Sequence, residues 1–401
     1  MKESSKDPYD LIVIGGGASG MMAAGRAKER GLSVLLLEKN KRLGEKLRIT
    51  GGGRCNITNR GKDERVLLKK YGNAEQFLYS LFVQFGVQET FAFFESRNLP
   101  LVVEANNRVF PKSQKAQDVV NILIAYLEKG GVDVVTSSPV NKVVTKDTKI
   151  VSVVCGAKEY FGKEFLFATG GISHQETGAT SDGFTWLKTL GHTVHAPTPT
   201  IVPLSVSEKW VKDLAGMSYE SMKINFYVNE KKSFALKGRI LFTHFGISGP
   251  LILNNAYKVS DLLHEGVVTA TIDLFPELDS KQLDQMIVDV FDNNKNKDLK
   301  NILKEIVGEG VHKGVATLLE NDFDIHMKIH SVSKDQRKHL VRLLKALPLT
   351  ITGLMGFDRA VIADGGIPLD EVDLRTMRSK KVPNLFVTGD LLHINRPSGG
   401  Y

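Results

Sequence analysis

The chain has 401 residues, 42% of them hydrophobic and 24% charged, with a formal net charge of +8. That balance excludes an intrinsically disordered chain, and the length exceeds what one simple core organises, so two to three domains are expected. The opening MKESSKDPYD is polar, and no apolar run approaches the roughly 18 residues of a membrane span, which reads as a cytoplasmic protein with no membrane association.

YDLIVIGGGASGMMAAGRAKERGLSVLLLEKN comes first. Leu11 to Ile14 reads as a buried strand, residues 18–30 as a helix, and Val34 to Leu37 as a second buried strand, a βαβ unit. Gly15, Gly17 and Gly20 fill G-x-G-x-x-G at the first strand-to-helix turn. The first glycine permits the tight turn, the second lets backbone approach a pyrophosphate, and the third lets helix pack on strand. Glu38 follows Gly20 by eighteen positions, where a carboxylate accepts from the ribose hydroxyls of an adenosine. A solvated strand-end carboxylate is the bland alternative.

KLRITGGGRCNITN, residues 46–59, is too glycine-rich for a helix or strand interior and reads as a loop built for close approach. Residues 26–65 carry twelve Lys or Arg against five Asp or Glu, a charge that attracts phosphates. A nicotinamide dehydrogenase would continue here with regular βα units. The basic loop instead points to FAD, with Lys46 and Arg54 supplying positive charge and glycine amides cradling the ligand. Cys55 and Cys155 lie a hundred positions apart and outside any C-x-x-C spacing, so packing roles are expected and no metal.

FAFFES at 91–96 reads as core. Arg108 and Lys112 in RVFPKSQKA suit an anionic substrate or a nicotinamide phosphate, with a solvated face as the default. Phe165 to Ala168 is an apolar strand ending in Thr169, Gly170 and Gly171; His174 beyond it reads as an incidental loop histidine. From Ile201, KINFYVN, RILFTHF and VVTATIDL read as antiparallel strands of a barrel or small sheet. FTHFGISGP offers His244, either a donor to flavin or substrate or the fixing residue of a glycine-rich turn. A helical period follows, with Asp279 and Gln282, then Ser333 and Gln336, as capping boxes. Last, Leu385 to Val387 is a strand ending in Thr388, Gly389 and Asp390, whose carboxylate suits a ribityl hydroxyl.

The stretches DLIVIGGGASGMMAA, GEKLRITGGGRCNITN, RVFPKSQKAQDVV, FATGGISHQETGATSDGF, GHTVHAPTPTIVPL, LFTHFGISGPLIL and TMRSKKVPNLFVTGDLL resemble the BaiN/RdsA family of NAD(P)/FAD-dependent oxidoreductases, flavoproteins of the two-dinucleotide-binding-domain type, over residues 10–401. The resemblance implies an α/β fold with a Rossmann-like FAD-binding domain split by an inserted β-barrel-like module that carries a helical subdomain. The corresponding ranges are 1–196 and 367–401 for the FAD domain, 197–274 for the β module, 275–347 for the helical piece and 348–366 for a return strand. By the same resemblance FAD contacts fall at Gly15, Gly17, Ala18, Ser19, Gly20, Glu38, Lys39, Lys46, Thr50, Gly51 and Gly53. They continue at Arg54, Asn56, Val140, Thr169, Gly170, Gly389, Asp390, Gly400 and Tyr401. Two departures stand out: His393 and the run Asn395 to Pro397 occupy positions where the family has an acidic residue and a small loop, and the family continues past Tyr401 into a helix aimed at the flavin.

Members of that family are linked to reduction of carbon–carbon double bonds, in steroid dienones and in a uridine of large-subunit ribosomal RNA. The expectation is therefore an FAD enzyme that takes hydride from NAD(P)H and reduces an electron-poor C=C bond, with His244 as candidate catalytic residue. No second G-x-G-x-x-G follows a strand, so nicotinamide visits the flavin without its own Rossmann domain. The alternatives are an rRNA-modifying flavoenzyme forming dihydrouridine, which the net charge favours, and a flavin-binding protein without turnover. The expected partner is a small-molecule substrate or rRNA, with no protein partner.

Overall fold

The computed structural model describes residues 7–61 and 63–401. Along the chain β1 (Tyr9–Ile14), α1 (Ala18–Glu29) and β2 (Val34–Leu37) lead into α2 (Glu45–Gly53), β3 (Thr58–Asn59) and the helices α3 (Glu64–Leu68), α4 (Glu75–Gln84) and α5 (Val87–Glu95). Then come β4 (Leu101–Val103), β5 (Arg108–Pro111), α6 (Ala116–Gly130), β6 (Asp133–Val135), β7 (Lys142–Lys146), β8 (Lys149–Cys155) and β9 (Lys158–Phe167). After α7 (Asp182–Thr189) and β10 (His195–Pro199) the chain runs through β11 (Leu204–Val206), β12 (Ser218–Val228), β13 (Lys231–Thr243) and β14 (Gly246–Ser248). It continues with α8 (Pro250–Leu253), α9 (Ala256–Glu265), β15 (Val268–Asp273), α10 (Ser280–Asp292), α11 (Leu299–Val307), α12 (Val311–Leu319), α13 (Lys334–Lys345) and β16 (Leu347–Leu354), and closes with β17 (Ala363–Gly366) and β18 (Leu385–Val387).

Two compact units result, one made of residues up to Pro199 together with Val361–Tyr401, the other of Thr200–Ala360. In the first, β6, β2, β1, β9 and β18 lie side by side and parallel. β8 and β7 extend the sheet antiparallel along the earlier part of β9. Because successive side chains point to opposite faces of a strand, the continuous apolar runs feed two separate cores. Leu11, Val13, Val34, Leu36 and Leu166 pack with α1 and α6 through Met21, Ala24, Leu123 and Tyr126. Ile12, Ile14, Leu35, Leu37, Phe165 and Phe167 pack on the other face with Phe184 and Leu187 of α7. This is a Rossmann-type α/β fold, a parallel sheet covered on both faces. Of the FAFFES aromatics, Phe93 and Phe94 join the α6 side, with Phe93 5.1 Å from both Phe94 and Tyr126, ring centre to ring centre, while Phe91 packs partly buried against Leu67, Leu68 and Val87.

Glycine sets two of the closest approaches. A Cβ on Gly20 would stand 1.9 Å from the carbonyl oxygen of Gly15, so α1 leaves β1 at a distance that only hydrogen permits. A Cβ on Gly25 would enter the Tyr126 ring, so α6 docks against bare backbone of α1.

In the second unit β11, β14, β13, β12, β15 and β16 close into an antiparallel barrel. Its inward residues, among them Ile224, Phe226, Ile240, Phe242 and Ile272, share one continuous core with Leu283 and Ile287 of α10, Leu303 of α11, Val315 of α12 and Leu340 of α13. The capping boxes at Asp279 with Gln282 and at Ser333 with Gln336 are both formed.

Three details correct the sequence reading. The stretch 197–274 is not all β: Pro250 at a first helical position and the spacing of Ala256, Val259 and Leu262 produce α8 and α9. Residues 348–366 are not one return strand, since β16 completes the barrel but β17 pairs antiparallel with β10 inside the first unit. The units accordingly divide at 199/200 and 360/361, not at 196/197 and 366/367. Weak apolar periodicity over residues 355–366 hides this, because the pairing depends on Gly365 and Gly366 at φ +124° and +107° lying against Pro197 and Leu391. No helix of the described residues is long and apolar enough to cross a membrane.

Candidate functional site

The carboxyl ends of β2, β1, β9 and β18 open onto one cleft of about 380 Å3 in the first unit. Ligands of open α/β sheets bind at this edge, where strands give way to loops and helix amino termini. The strand order gives the cleft a direction. Glu38 and Lys39 stand at one end, Gly15, Gly17, Ala18 and Ser19 follow, then Thr169 and Gly170, and Gly389 and Asp390 lie at the other end.

Glu38 is buried at 8% exposure and its carboxylate is oriented by backbone: Oε2 accepts from the Gly16 amide at 2.7 Å and Oε1 from the Asn40 amide at 2.7 Å. A carboxylate has about four acceptor positions, so two hydroxyls can still be received. Gly16 is part of this device, since a Cβ there would meet Glu38 Oε2 and Leu43. Next along, Gly17 caps α1 with no side-chain hydrogen bond, and a Cβ on it would meet nothing within 4 Å. The helix therefore presents free amides and the positive end of its dipole to open space.

Opposite, Thr169 Oγ1 is buried without a hydrogen-bond partner. Lys46 reaches over from α2, and its Nζ donates to the Gly171 carbonyl at 3.0 Å. Burial pushes the Lys46 ammonium below its ordinary pKa, an effect the carboxylates of Asp390 and Glu176 oppose. Lys39 donates to Thr180 Oγ1 at 3.3 Å and Asn40 to the Thr177 carbonyl at 3.1 Å, which ties the loop 174–181 along the cleft. At the far end Asp390 is paired with Arg396 at 2.7 Å.

The glycine run is only partly the expected loop. Glu45 to Ile49 form a helical turn, with Leu47 packed against the α1 core, and the helix breaks at Thr50. Gly51, Gly52 and Gly53 then follow at φ +57°, +68° and +82°, a left-handed run that only glycine adopts without strain. Cys55 is buried behind it, and burial raises its thiol pKa, which leaves a packing role. Both cysteines are free.

Of the expected contact residues, Gly15, Gly17, Ala18, Ser19, Glu38, Lys39, Lys46, Thr50, Val140, Thr169, Gly170, Gly389 and Asp390 line the cleft. Gly20 acts in helix packing. Gly51, Gly53, Arg54 and Asn56 lie beyond the cleft lining. Arg54 pairs with Glu104 at 3.1 Å, donates to Gln114 at 2.8 Å and stacks 4.0 Å above the Phe110 ring. Asn56 Oδ1 receives the Val109 amide at 3.2 Å. Gly400 sits against Thr58, and Tyr401 packs edge-on to Tyr71 at 6.4 Å. His244 belongs to the other unit, exposed in the two-residue turn between β13 and β14. Arg108 donates to the Ala105 carbonyl, and Lys112 is exposed.

Sequence reasoning missed Asn40, Thr177 to Thr180, Trp186 and Arg396, all on the cleft wall. Asn40 was signalled by its place two residues after Glu38. Arg396 carried no signal, because its position depends on how the last segment folds back. No group of three or more His, Cys, Asp or Glu suited to a metal occurs among the described residues.

Comparison with known proteins agrees with this fold. The HI0933-like protein Rossmann domain matches residues 9–401. A 3-dehydro-bile acid delta(4,6)-reductase of Clostridium scindens is 27% identical over 97% of this chain and 94% of its own length. A ribosomal RNA dihydrouridine synthase of Escherichia coli is 26% identical over 98% and 94%. Among solved structures, a 3-ketosteroid delta1-dehydrogenase from Sterolibacterium denitrificans superimposes with a TM-score of 0.52 at 12% identity, covering 98% of this chain and 96% of that one, a likeness of fold. The chain belongs to the HI0933-like family, flavoprotein oxidoreductases built on a Rossmann-type FAD-binding fold, together with the bile-acid reductase and the rRNA dihydrouridine synthase.

Proposed function

We propose that the chain is an FAD-dependent reductase that takes hydride from NAD(P)H and adds hydrogen across a carbon–carbon double bond conjugated to a carbonyl. In the net reaction the nicotinamide loses a hydride, and the double bond gains that hydride on one carbon and a proton on the other. The observation that carries the reading is the directed cleft, with a ribose acceptor at one end and a bare helix amino terminus beside it. Glu38 would receive the adenosine ribose and the amides beyond Gly17 the pyrophosphate. Asp390 would hold a ribityl hydroxyl. FAD when bound would supply the hydride transfer; the residues named here orient it. The relatives' names support the choice of bond, since steroid dienones and uracil both present a C=C polarised by a carbonyl.

The test is an absorbance spectrum of the purified protein followed by anaerobic NADH and then NADPH. Bound flavin bleached by either supports a reductase; stoichiometric flavin that neither bleaches favours a flavin-binding protein without turnover. A second reading, formation of dihydrouridine in ribosomal RNA, is favoured by the +8 charge and by the Escherichia coli relative's name. An rRNA fragment should then bind in a salt-sensitive way, and the absence of binding at low ionic strength sinks that reading.

A further inference from the structure

The cleft has two ends of different chemistry, and the strand order fixes which is which. Glu38 follows β2, the glycine turn follows β1, Thr169 follows β9 and Asp390 follows β18, the last strand on that side. A dinucleotide laid across these strands with its adenosine ribose on Glu38 and its pyrophosphate at α1 has its far half beside Asp390. Of the two cations read from the sequence, Arg54 is engaged by Glu104 and Gln114, and Lys46, on the cleft wall, gives an N–H to the Gly171 carbonyl. The side chain on the cleft wall that pairs directly with Asp390 is Arg396.

Arg396 is only 24% exposed, and a charge there acts through protein more than through water. It gives one N–H to Asp390 Oδ1, and a guanidinium has five. The segment that carries it is anchored: the His393 amide donates to the Ile367 carbonyl at 2.9 Å, His393 Nε2 lies 3.4 Å from Asp364, and Ile394 packs on the β18 core. Arg396 thus stands at a fixed place with donors to spare.

We propose that Arg396 is the electrostatic partner of the isoalloxazine ring, offsetting Asp390 and favouring the reduced, negatively charged form. This rests on the FAD reading above. Accepting a hydride from NAD(P)H brings two electrons and one proton, so the site's charge falls by one beside a carboxylate. Arg396 cancels that carboxylate; without it, reduction adds negative charge next to unshielded Asp390.

The experiment is an anaerobic reduction-potential measurement on the FAD-loaded protein against a reference dye, for wild type, R396Q, R396K and D390N, with FAD affinity measured in parallel. R396Q is expected to disfavour reduction about tenfold, which for a two-electron couple is about 30 mV lower. R396K should recover most of the shift, and D390N should move the potential upward. A residue that merely props Asp390 in place would give R396Q and D390N the same loss of FAD affinity and no opposed shifts. Equal potentials in wild type and R396Q, or shifts of the same sign in R396Q and D390N, overturn the inference while leaving FAD binding intact. If R396Q retains no FAD, the double variant R396Q/D390N is compared with D390N: a lower potential in the double variant supports the role of the Arg396 charge, and equal potentials overturn the proposal. A wild-type protein that takes up no FAD fails at the earlier step, removes both readings, and is told apart by its colourless spectrum.

Discussion

The two units solve the problem of burying apolar surface in opposite ways. The barrel unit closes on itself: six strands and the helices beside them share a single core, with Phe226, Phe242 and Ile240 each at or below 1% exposure. In the α/β unit the sheet keeps two cores apart, one with α1 and α6 and one with α7. A sheet covered on both faces still has an edge where its strands end, and its chain must turn there. Specialised backbone collects at that edge, and the cleft sets glycines and a few charged side chains among apolar ones such as Leu47, Val140 and Trp186. Stability in one unit is a matter of volume; in the other, of polar and steric fit at turns.

Substitutions can break or sharpen that contrast. The largest effect belongs to the barrel core. Phe242→Ala should cost about 3–5 kcal/mol, read by chemical denaturation as early loss of the emission of Trp210, whose ring lies 6.1 Å from Phe242. If the loss stays under about 1 kcal/mol, the barrel interior is less tightly filled than described.

The polar fit of the α/β unit is tested by pH. His192 bridges Glu371 at 2.6 Å and Ser379 at 2.8 Å, and Lys381 pairs with Glu371 at 2.7 Å. Burial works to raise the Glu371 pKa, but Lys381, Thr193 and His192 outweigh it and bring it down to about 2 from 4.5. A depressed carboxylate stabilises above its unfolded pKa, so roughly 3 kcal/mol should vanish between pH 4.5 and 2. Burial also lowers the pKa of His192 below 6.5. The unfolded chain then gains a proton that the folded one resists, and stability begins to fall as pH drops through 6.5. In thermal melts against pH, Glu371→Gln should flatten the acid limb; an unchanged limb would remove the network as its cause.

Glycine at the cleft gives the third comparison. Gly20→Ala forces a methyl against the Gly15 carbonyl and should cost about 1–3 kcal/mol, whereas Gly17→Ala meets only open space and should leave folding within about 1 kcal/mol. Only the second should weaken FAD binding, by about tenfold, without unfolding, as read by flavin fluorescence. Equal destabilisation by both would erase the distinction between packing and ligand glycines. The smallest effect is expected from the exposed His244: His244→Gln should change stability by no more than about 0.5 kcal/mol. A slowed transfer to substrate with normal reduction by NAD(P)H would give it a proton-donor role, and unchanged half-reactions would remove it.

Much of the α/β unit was legible because its signals are local. The β1 to β2 unit combines short apolar runs, a helix between them and glycines at fixed offsets, and the structure places each element's ends within two residues of the reading. The capping boxes of α10 and α13 were equally local. What escaped depends on distant partners. Arg54 and Arg396 are both arginines near glycines, and nothing in their neighbours reveals that one is engaged by Glu104 while the other meets Asp390. The helical turn at Glu45 was masked by the three glycines that end it.

The pairing of β10 with β17 has a consequence of another kind. The chain departs from the α/β unit after Pro199 and rejoins it at Val361, and Pro199 and Ala363 face each other across an antiparallel ladder, where opposed Cα atoms are about 5 Å apart. A hairpin of a few residues would bridge that gap. The ribbon is therefore a splice point: descendants of a shorter ancestor could acquire, exchange or discard the intervening 160-odd residues through a single genetic event, with the host sheet required to change no strand of its own.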